Sequence, residues 1–244
     1  MIATIFNAAI YNPLYNGLVY LVGIIPTHDV GIAVILLTIV VRIIVYPLSR
    51  RAIKAQQDMK KVAPEITKLR DKFKDDKQGE SKAIFALYKE RDIHPFASFL
   101  LILVQFPILI GLYWVFSRGG LPTVDATRLY SFVHVPPAID MVFLGIQNMA
   151  GHSIVLAIFA AGTQFAYTRL SMGPRGVKTA TEASFSDDMA KSLDVQARFV
   201  LPAIIGVVAY FAVAAAPLYW VTSNSFMILQ EYLAGRRFGP EKDK

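Results

Sequence analysis

The chain has 244 residues, is 55% hydrophobic, contains no cysteine and carries a formal net charge of +7. Its cations are gathered in blocks: none precedes Arg42, and a dense run extends from Arg50 to Arg91. Long apolar stretches between charged blocks argue against a soluble enzyme domain and for an all-α, multi-span membrane protein, while the missing cysteines exclude a disulfide framework and thiol chemistry.

Residues 1–27 lack the positive n-region of a secretory signal and read as a retained interfacial amphipathic helix. Their longest apolar run, Gly17–Ile25, is too short to cross a bilayer, whose ~30 Å core needs roughly 20 helical residues. Asn7, Asn12 and Asn16, with Tyr11, Tyr15 and Tyr20, suit a membrane surface. The first span is predicted at 28–49, with its apolar run over Val30–Leu48. Residues 50–95 read as a charged helical hairpin. Val62, Ile66, Leu69 and Phe73 give its first helix an apolar stripe, Pro64 starts or kinks that helix, FKDDKQGES forms the turn, and Ser81–Glu90 is the second helix. It is either a solvated connector or a mobile arm. A second span follows at 96–117, an extracytoplasmic connection at 118–152, a third span at 153–168 and a cytoplasmic loop at 169–198. The fourth and fifth spans, 199–214 and 217–233, are joined by Ala215 and Ala216, and a short basic tail occupies 234–244.

Charge placement orients these five spans. With the N-terminus outside, the cytoplasmic segments 49–95, 169–198 and 234–244 hold 13, 5 and 4 Lys or Arg, against two on the outer side, Arg118 and Arg128. The remaining cation is Arg42, inside ILLTIVVRIIVYPLSRR. A charge at a span centre costs about +2.5 to +3.5 kcal/mol on insertion scales. The thirteen Val, Ile and Leu of Val30–Leu48 offset it at roughly −0.3 to −0.6 kcal/mol each. Insertion is therefore feasible, but it does not say why the arginine is there. Either the side chain snorkels towards the inner surface, or it faces a wet cavity. Thr38 lies on the same helix face, and Gln105, Gln164, Thr222, Ser223, Asn224 and Gln230 add polar groups within other spans. Each of these also reads as interhelical glue. Glu231 is the one carboxylate within the other spans, so Arg42 is expected to be free for a visiting group.

Nothing in the chain has the pattern of a nucleotide loop, a metal constellation or a hydrolytic triad, and His28, His94, His134 and His152 are scattered near span ends. No cofactor or metal is expected. An intramembrane arginine also fits a small transporter or anion channel, although inverted repeats and paired broken helices are not evident.

Several stretches, taken in order, resemble the YidC/Oxa/Alb insertase family. They are NPLYNGLVYLV at 12–22, GIAVILLTIVVRIIVYPLS at 31–49, MKKVAPEITKLRDKFKDD at 59–76, QFPILIGLYWVF at 105–116 and LYWVTSNSFMILQEYL at 218–233. The chain departs from that pattern in lacking a large periplasmic domain, a long basic tail, a lipoprotein cysteine and a glycine in AVAAAPLYW. The resemblance implies a multi-pass protein of the bacterial cytoplasmic membrane that performs no covalent chemistry. It implies a groove open to the cytoplasm at Arg42, Thr38 and Gln105, with Trp220 and Tyr219 on the client's exit face. Pro64, Glu65, Lys68 and Tyr88 fall in the family's hairpin motif. The implied partners are nascent membrane proteins with short acidic tails and the lipid bilayer, with the ribosome and Sec translocon as further candidates and no direct nucleic-acid contact.

Overall fold

A computed structural model describes residues 2–73, 76–117, 121–173 and 195–237. Most of the 169–198 loop, the end of the tail, Arg118, and Lys74 and Asp75 of the hairpin turn lie outside these residues. The described chain is predominantly helical, and its strands are the two-residue antiparallel pair Val142–Phe143 and Gln147–Asn148. It divides into two units, residues 1–43 with 107–244, and residues 44–106.

Two of the described helices are long and apolar enough to cross a membrane, Val30–Lys61 and Ile154–Met172. The first runs through Pro47 and on past the apolar stretch into charged sequence. The second begins where Ser153 caps it, its hydroxyl accepting from the Leu156 amide at 3.3 Å. The other expected spans correspond to Ala97–Ser117, Leu201–Phe211 and Ala215–Leu233. Leu201–Phe211 is short and is preceded by a π-helical turn at Gln196–Val200. The final helix is diluted by Thr222, Ser223, Asn224, Gln230 and Glu231. Ala215 and Ala216 are already helical, so the link between these last two helices is Ala212–Ala214 rather than that pair. The amides of Ala214 and Ala215 bond to the carbonyls of Gly151 and Met149, which fixes the turn.

In the larger unit several polar and charged side chains are buried beside the apolar core, while many large apolar ones are exposed. Arg42, Gln164, Thr168, Ser171, Arg198, Ser223, Asn224, Gln230 and Glu231 are buried, whereas Ile43, Ile158, Phe159, Val207 and Phe211 are exposed. A water-soluble domain places such residues the other way round. Exposed apolar helix faces around a polar interior suit a lipid surrounding. Small residues permit close helix packing: Ala157, Ala160 and Ala209 form a buried cluster with Ile205, Trp220 and Val221.

The N-terminal run comprises Ile2–Phe6, a π turn at Asn7–Tyr11 and Asn12–Ile24. Tyr15 and Asn16, expected at a membrane surface, are instead buried within the protein. The Asn16 amide donates to the Arg128 carbonyl at 2.9 Å and accepts from the Tyr130 amide at 2.7 Å, and the Tyr15 hydroxyl accepts from the Asp125 amide at 2.8 Å. The irregular 121–152 connection has backbone groups that need partners, and these two side chains supply them. Burial raises the Tyr15 phenol above its ordinary pKa, partly countered by the Asp125 amide bond. Asp125 itself is held below the usual carboxylate range, first by the Thr127 hydroxyl and then by Arg128.

The smaller unit contains the hairpin. Ala63–Lys72 begins with Pro64 in its first turn, where a missing N–H costs nothing. Lys77–Glu90 begins four residues earlier than the expected Ser81, because Asp76 caps it by accepting from the Gly79 amide at 2.8 Å. Val62, Leu87 and Ile93 form the hairpin core, with Met59, Ile66, Leu69 and Tyr88 packed around them.

Candidate functional site: a buried polar core

Arg42 sits on Val30–Lys61, four residues after Thr38, and only 5% of it is exposed. Its Nε donates to the Ser223 hydroxyl at 2.7 Å, and its Nη2 reaches the same oxygen. The phenols of Tyr219 and Tyr167 lie within electrostatic reach. Among the described residues, no carboxylate forms an ion pair with Arg42. The arginine is therefore held in place by a neutral hydroxyl. Thr38 shares the face and is buried, but its hydroxyl donates at 2.6 Å to the Val34 carbonyl of its own helix. That bond satisfies the hydroxyl locally, as threonines in apolar helices commonly do.

The polar interior extends along Ile154–Met172 and the final helix. Asn224 donates to the Thr163 hydroxyl at 3.4 Å, and Gln164 donates to the Thr168 hydroxyl at 3.2 Å. Tyr167 hydrogen-bonds Ser171. Arg236 donates to the Ser171 carbonyl and, at 3.2 Å, to its hydroxyl. The Arg236 guanidinium also pairs with Glu231 at 3.1 Å. Of this group, Tyr167, Ser171 and Arg236 are absent from the sequence-based candidates. No sequence signal distinguishes them, since a tyrosine or serine near a span end is ordinary.

The remaining expected site residues are dispersed. Gln105 is half-buried on Ala97–Ser117 and belongs to the smaller unit, whereas Arg42 belongs to the larger. Tyr219 is buried near Arg42. Trp220 packs against the Ala157, Ala160 and Ala209 cluster, an environment that uses its ring as filling. In the hairpin, both carboxylate oxygens of Glu65 accept from Arg91 at 3.1 Å, Lys68 is exposed, and Tyr88 covers the hairpin core. Among the described residues no group of His, Asp or Glu is arranged to hold a metal.

A buried guanidinium with a neutral partner is suited to binding and releasing anions. Comparison with known proteins places this core in a wider group. The family model described as 60Kd inner membrane protein matches residues 22–241. A Clostridium tetani protein named membrane protein insertase YidC is 32% identical over 209 residues, covering 85% of this chain and 82% of that protein. Proteins of the same name from Methylobacillus flagellatus and a Marinomonas species are 28% and 30% identical. The chain covers 33% of the length of each of these two. It belongs to the 60Kd inner membrane protein family, the YidC/Oxa/Alb group that its sequence resembles.

Proposed function

We propose that this chain is a membrane protein insertase. It is read as a multi-pass protein of the bacterial inner membrane, with five spans, an outer N-terminus and the hairpin in the cytoplasm. A client's hydrophilic segment enters a polar groove at Arg42, and its apolar segment leaves sideways into lipid. The hairpin residues Pro64, Glu65, Lys68 and Tyr88 lie on the cytoplasmic approach, where nascent chains, the ribosome or the Sec translocon would meet the protein.

The observation that carries this reading is Arg42, buried in an apolar helix and bonded to the Ser223 hydroxyl. Moving a polar segment through hydrocarbon is costly because its backbone loses water. A polar interior lowers that cost. A carboxylate arriving at Arg42 replaces the hydrogen bond to a neutral hydroxyl with an ion pair that two parallel N–H···O bonds can make bidentate. Low local dielectric strengthens the attraction further. Ser223 then recovers the guanidinium on release, so the cation is never left unpaired. Thr38 lines the same helix face. Tyr219 and Trp220 mark the final helix as the side past which a client leaves.

The test is reconstitution of the purified protein alone in proteoliposomes. Protection of a short client's translocated tail without solute flux supports the proposal. Flux in the absence of client overturns it in favour of a channel. Single cysteines at positions 42 and 105 should each react with an impermeant thiol reagent from the cytoplasmic side only; reaction from both sides would also indicate a pore.

A further inference from the structure

A second cation, Arg236, follows the end of the final helix, the helix that carries Ser223, and its arrangement has no role in the scheme above. The final helix ends in a tight turn. The Ala234 amide bonds to Gln230, Gly235 adopts φ +92° with its amide on the Tyr232 carbonyl, and the Arg236 amide closes on the Glu231 carbonyl at 3.1 Å. This is the two-bond turn that glycine permits after a helix. The residue pair that it brings together is usually apolar. Here the pair is Glu231 and Arg236, with the carboxylate 1% exposed. The same guanidinium reaches across to the carbonyl and hydroxyl of Ser171, in the last turn of Ile154–Met172. Arg236 therefore lies against the negative ends of two helices and a carboxylate. Tyr167, four residues before Ser171 on the same helix, hydrogen-bonds Ser171.

An ordinary helix-to-helix tie does not need a carboxylate. The Ser171 carbonyl and the helix dipoles already suit a cation. A buried ion pair is also a weak source of net stability, because both charges lose water. The charge on Glu231 does have an electrostatic consequence. It offsets the positive charge of Arg236 inside the protein, and so weakens the interior's attraction for any acidic segment.

We infer that Glu231 is a resident carboxylate that sets the charge selectivity of the groove: it holds Arg236 closed, and an acidic client segment displaces it to engage Arg236 as a second cation, further along the final helix than Arg42 at Ser223. This inference rests on the insertase reading proposed above. A segment with two or more carboxylates gains from both cations. A single carboxylate engages Arg42 and leaves the clasp shut. Displaced Glu231 lies next to the incoming acid and repels it, which favours release.

The experiment uses full-length protein in nanodiscs and two photo-crosslinking client peptides, one with an acidic tail and one with the acids replaced by Gln and Asn. Glu231→Gln should raise the acidic-to-neutral capture ratio by about fivefold or more, and Arg236→Gln should lower it by a similar factor, the smaller end of typical coupling between sites. Capture of the neutral peptide should change little in either variant. If both variants leave the ratio unchanged while Arg42→Ala lowers it, the clasp has no selectivity role and this inference fails alone. If Arg42→Ala also has no effect, charge recognition by the groove fails and the inference fails with it. Should the Arg236 variant not fold, a single cysteine at Ser171 in the otherwise cysteine-free chain gives a second readout. The acidic peptide should accelerate its labelling by opening the clasp, and equal labelling with either peptide overturns the inference.

Discussion

Replacing Asn16 with alanine removes an amide that serves two backbone groups more than a hundred residues away. The Tyr130 amide loses its acceptor at 2.7 Å, and the Arg128 carbonyl loses its donor at 2.9 Å. Asn16 is buried, so water does not readily replace it. Each buried group left unsatisfied costs about 1–3 kcal/mol. The variant should therefore loosen the 121–152 connection by about 1.4–2.8 kcal/mol, because both bonds are only part-buried and water relieves part of the loss. The local readout is amide hydrogen exchange at Tyr130. A change of ~1.4–2.8 kcal/mol there corresponds to exchange about ten to a hundred times faster. Tyr15→Phe is the matched control, because it removes only the acceptor of the Asp125 amide. It should speed exchange at Asp125 and leave Tyr130 nearly unchanged. If Asn16→Ala leaves Tyr130 protected, or if both variants accelerate both amides equally, the reasoning that assigns each tie to its own side chain is refuted.

Ala160→Leu should cost about 1–3 kcal/mol and lower the thermal midpoint in detergent, because Ala160 is fully buried in the small-residue cluster; an unchanged midpoint would mean that the cluster has room to spare. Leu87→Ala removes one of the three residues at the centre of the hairpin core and should destabilise the hairpin by about 2–5 kcal/mol, seen as faster proteolysis within residues 63–90. Arg91→Ala should cost under about 1 kcal/mol, since its pair with Glu65 is half-exposed, and proteolysis of the same segment should barely change. Arg42→Lys should retain most insertion, whereas Arg42→Ala should impair acidic-tailed clients more than neutral ones; equal impairment in the insertion assay would refute the electrostatic account. The pKa of Asp125 is depressed in the fold, so its contribution is present above the unfolded carboxylate value, near 3.9, and is lost as pH falls through the lower folded value. Exchange at the Thr127 amide, which bonds the carboxylate, should therefore quicken only in strong acid, and quickening near neutral pH would assign the effect to another group.

The helices are legible in the sequence because an apolar run long enough to cross lipid has few alternatives. Arg42 is conspicuous for the same reason, a lone cation among branched aliphatics. Its partner is not legible: Ser223 lies 181 positions away, and Thr222, Asn224, Ser225, Gln230 and Glu231 of the final helix compete for the role. Asn16 and Tyr15 are misplaced by sequence reasoning because tyrosine and asparagine on a short amphipathic helix ordinarily face headgroups. The structure turns them inward because the irregular connection has backbone groups that only side chains reach. The start of the second hairpin helix is misjudged because the Gly79 and Ser81 signals suggest a turn, whereas the Asp76 cap extends the helix through them. The clasp depends on a glycine turn that brings Glu231 and Arg236 into contact and on a third residue, Ser171, from a different helix, which periodicity within one segment does not reveal.

The ties between the N-terminal third and the 121–152 connection also set an order of events during synthesis. Tyr15 to Asp125, Asn16 to Arg128 and Tyr130, and Asp29 to Leu144 join residues 110 to 115 positions apart. None of these bonds can form until the ribosome has made more than half the chain. Until then the phenol, the amide and the carboxylate must find temporary partners in water or headgroups. The amphipathic N-terminal helix can wait at the membrane surface during that interval, and its polar side chains turn inward only when the connection arrives. The features that suit this helix to an interface then describe its early residence, and its buried position describes its final one.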